Sequence, residues 1–122
     1  MPEKLFIGRN NEMSRRFYEE VDGVKTYKNL TTANKIELKF FKDPETIIVK
    51  FDDVTNPTLF DKTGAATGII VFKPEDDTFS AVEDKIIDDE NMGTLWAQYI
   101  IYTTLQPDGV VFPEFEVGFE KF

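Results

Sequence analysis

Three sets of side chains in this sequence have the means to do chemistry. The carboxylates gather in Asp52-Asp53, Asp76-Asp77 and Asp88-Asp89-Glu90. Two facing acids can share the proton transfers of glycoside hydrolysis, and hard oxygen ligands suit calcium. Every one of these clusters sits beside turn-forming residues, however, and no Asp-x-Asp-x-Asp-Gly loop occurs. They read as solvated loop charge. Arg9, Arg15 and Arg16 make the concentrated basic patch. Phosphate binding needs an oriented cradle, and no glycine-rich Walker pattern accompanies them. They are expected to pair with neighbouring acids or with a partner subunit. The third set is aromatic: Tyr18, Tyr27, Trp96, Tyr99 and Tyr102. Flat rings can stack on the apolar faces of sugars, but Trp and Tyr are heavily buried on average, so packing is the simpler use for them.

Absences narrow the chemistry further. The chain has no His and no Cys. That removes the commonest general base and metal ligand, and with them any disulfide frame or thiolate site. A Gly-x-Ser-x-Gly nucleophile motif is missing too. The reading is a non-enzyme, with no catalytic residue, cofactor or metal expected. A net charge of −9, from 23 acidic against 14 basic residues, disfavours direct contact with nucleic acid and with anionic membranes. The apolar runs are far shorter than a membrane span. Met1-Pro2-Glu3-Lys4 opens no secretory signal, which suggests folding in a reducing cytoplasm.

These side chains have to be placed by strands. The 122 residues, 41% of them apolar with 12 Phe, fit one domain over 1–122 with a single core. Lys4-Leu5-Phe6-Ile7 suits a first strand or an extended N-terminal arm over 1–11. Met13, Phe17 and Val21 recur at helical spacing, but Asp22-Gly23 is a tight-turn signal, so a hairpin is preferred to a helix there. In Lys35–Phe40, Ile36, Leu38 and Phe40 alternate with charges. Thr46–Phe51 is apolar on both faces, as in a central strand. Asp52–Thr67 is loop-rich, with Leu59 and Phe60 expected to plug the core, and Gly68–Lys73 is another buried strand. Thr78–Lys85 has room for one or two helical turns, capped by Thr78. Leu95–Leu105 should be the longest strand, with Gln106-Pro107-Asp108-Gly109 turning it into a closing segment Val110–Phe122. Pro113 marks an edge or a bulge there. The sum is an all-β fold: one antiparallel β-sandwich of about seven to nine strands with at most one short helix.

Parity makes one prediction about surfaces. Trp96 and Tyr102 stand on the opposite side of their strand from Tyr99. If Tyr99 packs inside, the other two must meet a subunit, a loop or a ligand.

The order of features also resembles a known family. The residues that carry the resemblance are Ile7-Gly8-Arg9-Asn10, Asp22-Gly23, Leu30-Thr31-Thr32-Ala33, Thr67-Gly68-Ile69-Ile70-Val71-Phe72, Gly93-Thr94-Leu95-Trp96-Ala97-Gln98-Tyr99 and Asp108-Gly109-Val110-Val111-Phe112. Together they resemble the small immunoglobulin-like β-sandwich modules of tailed-bacteriophage virions, and are similar to the N-terminal domain of baseplate upper proteins. Those proteins continue into a further docking region, whereas this chain ends at Phe122, which turns the expectation towards a stand-alone adaptor or a capsid-surface protein. The resemblance implies a structural virion protein, made in the host bacterial cytoplasm. It would join neighbouring subunits in the tail or baseplate, or on the capsid surface, as a homo-oligomer or within a symmetric assembly. It implies no catalytic residue. The expected partner surface is Leu5, Phe6, Ile7, Arg9, Arg15, Arg16, Trp96 and Tyr102. The arm 1–11 is expected to reach a neighbour and to be removable without unfolding the monomer. The alternative partner is a glycan, held by exposed aromatic rings with Gln98 beside them.

Overall fold

Apolar and polar residues alternate along most of the chain, and the backbone answers with strands. The computed structural model describes residues 3–121. In chain order they form β1 (Glu3–Ile7), β2 (Met13–Arg16), β3 (Tyr18–Val21), β4 (Val24–Tyr27), β5 (Lys35–Asp43), β6 (Thr46–Asp52), β7 (Phe60–Asp61), β8 (Ile69–Phe72), the one-turn helix α1 (Glu83–Ile86), β9 (Met92–Tyr102), β10 (Val110–Val111) and β11 (Phe115–Lys121). Short 3-10 turns lie at Pro57–Leu59, Ala65–Thr67 and Ser80–Val82. The protein is mostly β with one short helix. The strands outnumber the expectation because two long segments are broken: buried Phe17 separates β2 from β3, and Pro113 splits the closing segment into β10 and β11.

The strands form three sheets. The largest runs β1-β11-β9-β5-β6, with β10 also on β9. It is mixed, since β1 lies parallel to β11 from Glu3↔Val117 to Ile7↔Lys121 while the other pairs are antiparallel. That corrects the purely antiparallel expectation. The first and last strands are neighbours, and the whole intervening chain serves as the crossover that a parallel pair requires. The central-strand expectation for Thr46–Phe51 is also corrected: β6 is an edge strand, and β11, β9 and β5 are the interior ones. The apolar residues of β6 are divided, with Phe51 buried and Ile47 on the surface. A register shift between Phe40 and Phe41 bends this pair.

A three-stranded sheet, β2-β8-β7, packs its inward side chains over one face of the large sheet. Met13, Phe60, Ile70 and Phe72 from the small sheet meet Leu38, Phe40, Leu95, Tyr99, Val117 and Phe119 in one core. Leu59 and Phe60 plug its edge as expected. The segment before α1 adds Phe79, which is buried, although Thr78 does not cap a helix. Its hydroxyl accepts the Glu75 N–H at 2.7 Å instead.

The third sheet is the hairpin β3–β4. Asp22 and Gly23 both take positive φ, 53° and 78°, the geometry of a two-residue turn that matches the strand twist. A hairpin rather than a helix therefore follows Phe17. It is tied down at its foot, where the Phe17 N–H donates to Gly68 O at 2.7 Å and the Lys28 N–H donates to Phe17 O at 3.0 Å. Gly68, at φ 83°, admits this contact because a Cβ there would stand 2.5 Å from Phe17 O.

Met1 and Pro2 of the expected arm lie outside the described residues. From Glu3 to Ile7 the segment is built into the sheet, and Leu5 and Ile7 are core residues at 0% and 4% exposure. Removing residues 1–11 should therefore unfold the monomer. Leu5→Ala alone should cost about 2–5 kcal/mol, the usual range for a buried Leu truncation, measured by urea denaturation. A loss under about 1 kcal/mol would show that β1 contributes little to the core.

Candidate functional site

The large sheet keeps one face for the core and turns the other to solvent. On β9, Leu95, Ala97, Tyr99 and Ile101 are buried, so Trp96, Gln98, Ile100 and Tyr102 face outward. Register places Phe41 of β5 beside Trp96, and Ile47 of β6 beside Phe41. An apolar row therefore crosses three strands. Phe41 within it is covered, whereas Trp96 and Ile47 are 41% and 47% exposed. The row was missed in the sequence, although Phe41 directly after Phe40 is its signal: in a strand the two must point to opposite faces.

Tyr102 shares this face but stands about 20 Å from Trp96 at the ordinary strand rise. Its hydroxyl donates to Glu37 Oε2 at 3.1 Å, and Lys35 Nζ sits 4.4 Å from its ring centroid. The Gln98 amide is also engaged, donating to Phe112 O at 3.0 Å. The two rings and Gln98 do not converge on one sugar-sized platform.

The other expected contacts are scattered. Leu5 and Ile7 point into the core, while Phe6 faces outward and is half-buried. Arg9 lies in the turn before β2, beyond the far end of that strand from Arg15 and Arg16. Among the described residues neither of those two arginines pairs with an acid, which leaves a partner subunit as the other expected contact. Arg15 Cζ sits 3.8 Å from the Phe115 ring centroid, and Arg16 Cζ sits 4.1 Å from that of Tyr27.

The hairpin β3–β4 is the surface that sequence reasoning did not single out. All eight of its strand residues are exposed, including Tyr18 at 42%, Val21 at 52%, Val24 at 60% and Tyr27 at 51%. Tyr18 and Tyr27 pair across the strands with ring centroids 5.4 Å apart. Among the described residues no other strand hydrogen-bonds to it.

The acids serve the fold. Asp53 is a buried acid rather than a solvated one: its Oδ1 accepts the Ile36 N–H at 2.8 Å, and its Oδ2 meets Lys62 Nζ at 2.9 Å. Asp52 accepts the Val54 and Thr55 N–H groups, and the Thr55 backbone bond is the main reason its carboxyl titrates low. Asp61 is lowered chiefly by the Thr63 hydroxyl, then by the Thr63 N–H. Among the described residues, no three acids gather in a geometry that would hold a metal ion. No protein-family model and no curated protein sequence matches the chain.

Two tyrosines set the alkaline behaviour. Burial pushes the Tyr99 phenol far up, with Glu3 adding to it and Arg15 opposing. Tyr102 is raised first by burial and then by Glu37. A phenol raised by folding stabilises below its unfolded pKa, and that stability is lost as pH climbs past about 10. Stability should therefore fall above pH ~10, by up to about 1.4 kcal/mol per pH unit from Tyr99. Tyr99→Phe should flatten that slope in urea titrations at pH 9–11, and an unchanged slope would mean that the phenol is hydrated in the folded state.

Proposed function

We propose that this chain is an assembly module, an immunoglobulin-like β-sandwich that joins neighbouring subunits in a tailed-phage virion, in the tail or baseplate or on the capsid surface. The phage context comes from the sequence resemblance. The joining role is supported by one observation above the rest, the fully exposed hairpin β3–β4. A two-stranded ribbon is marginal in water by itself. This one presents Tyr18, Val21, Val24 and Tyr27 outward while only its foot is fastened. A neighbour lying against it, or adding a strand to its edge, gains apolar burial and backbone hydrogen bonds together. Trp96 and Ile47, on the outward face of the large sheet, offer a second contact.

Glycan binding is the second reading, and the exposure of Trp96 is what favours it. It rests on that ring alone, since Tyr102 and Gln98 are engaged elsewhere. A glycan array probed with the wild type and Trp96→Ala decides it: no wild-type signal ends that reading.

Mass spectrometry of purified phage particles should detect this chain, and lysine cross-linking within them should join Lys25 or Lys28 of the hairpin to a neighbouring protein. Val21→Asp with Val24→Lys, opposite charges on facing positions, should abolish incorporation while shifting stability by no more than about 1 kcal/mol, about 0.5 for each exposed substitution. Particles without the chain would remove the virion role. Particles that accept the double variant at wild-type level would remove the hairpin from it.

A further inference from the structure

At the foot of the hairpin a cleft of about 270 Å³ opens between β2 and the β10–β11 segment. Three cations border it, Arg15, Arg16 and Lys25, in a chain whose net charge is −9. Each of them faces a ring: Arg15 over Phe115 at 3.8 Å, Arg16 over Tyr27 at 4.1 Å and Lys25 over Tyr18 at 4.2 Å from the centroid. Among the described residues none of the three has a carboxylate within ion-pair distance, although Lys4, Lys28, Lys62, Lys73 and Lys121 all do. A guanidinium stacked on a ring is held in place by its face and keeps its N–H edge for a planar acceptor.

Tyr99 belongs to the same cleft. Its side chain is 1% exposed, and its hydroxyl is buried with no hydrogen-bond partner among the described residues. Leaving such a group unpaired costs stability, and Phe would fill the same space without that cost. Phe17 packs edge-on against the Tyr99 ring at 5.1 Å, and Phe115 stacks on it at 6.1 Å. The ring is therefore fixed in the core and the hydroxyl is its only polar feature. Burial keeps it protonated, so it can only donate to an acceptor or accept from a donor, and cations line the approach. Glu3 is the acid that bears on it from β1, and no bond joins the two.

We propose that this cleft binds a small organic oxyanion, a carboxylate or phosphate carried on a flat apolar body, with Arg15 and the Tyr99 hydroxyl bonding the anion and Phe112 and Pro113 flanking the body. Charge-assisted, forked hydrogen bonds from Arg are the strong element of such recognition. The lining rings supply the apolar majority that small-molecule sites share. The site is independent of the assembly reading, because it needs no second subunit.

The probes are benzoate, phenyl phosphate, inorganic phosphate and neutral benzyl alcohol, titrated into the full chain at low salt and followed by amide NMR shifts. Benzoate or phenyl phosphate should bind with Kd of about 0.1–1 mM, the range open to fragments of this size, with shifts at Arg15, Tyr99 and Phe112. Whichever of the two binds tighter identifies the anion. Tyr99→Phe should melt at or above the wild-type temperature yet bind about tenfold more weakly, the usual loss for a hydrogen bond to a charged group. Arg15→Gln should lose at least as much. Three results would overturn the assignment: no shifts with either aryl anion at 10 mM, on the order of ten times the weakest Kd expected; equal binding by Tyr99→Phe; or inorganic phosphate and benzyl alcohol matching the aryl anions.

Discussion

Phe40 is the contact on which the rest of the structure depends. Its ring lies 5.5 Å from Phe79, 5.8 Å from Phe72, 5.8 Å from Phe119 and 6.2 Å from Phe51, mostly edge to face. Phe72 belongs to the small sheet, Phe51 and Phe119 to the large one, and Phe79 to the segment before α1. One residue thus ties both sheets and the connecting segment together. Edge-to-face ring pairs add stabilisation beyond area burial and also fix orientation. They do this without polar atoms, so the interior holds few groups that need partners. The consequence for function is direct: a core built this way leaves chemistry to the rims.

The acidic residues follow from the same constraint. With strand interiors given to apolar packing, the turns carry the polar burden. Asp43, Asp52, Asp61 and Asp88 each accept the N–H two residues onward. A short carboxylate does this well because it reaches its own backbone without help. Acids placed this way are spread over separate turns.

Much of the fold was legible because burial in strands has a period of two. Ile36, Leu38 and Phe40, and again Phe115, Val117 and Phe119, alternate inward as their spacing demands. Asp22-Gly23 announced its turn through the residues that tolerate positive φ. What the pattern could not show was sheet order. Whether Thr46–Asp52 lies at an edge, or whether β1 runs parallel to β11, depends on long-range pairing that leaves no local trace. The site was less legible for a related reason. Parity put Trp96 and Tyr102 outside, yet distance along the strand separates them. The charges of Arg15 and Arg16 suggested neighbouring acids or a partner subunit, and within the described chain they face rings of other strands, Phe115 and Tyr27. The orphaned Tyr99 hydroxyl is a property of surroundings, and a Tyr in an alternating strand looks the same with or without a partner.

Edges explain why the hairpin stands out on the surface of the molecule. An open sheet invites further strands at both ends, and here both ends are partly closed by asparagine. Asn11 accepts the Phe6 N–H and donates to Phe6 O, taking the place of a neighbouring strand along β1. Asn56 does the same at the end of β6, accepting the Asp52 N–H and donating its own N–H to Asp52 O. The register shifts along β5–β6 bend that edge further. Growth of the large sheet is discouraged at each margin. The ribbon β3–β4 has no such guard, and its turn, its paired tyrosines and its foot at Gly68 hold it in an extended form. The large sheet thus has both of its margins capped locally, while the ribbon keeps its backbone edges open, and the difference lies in two asparagine side chains placed where a further strand would pair.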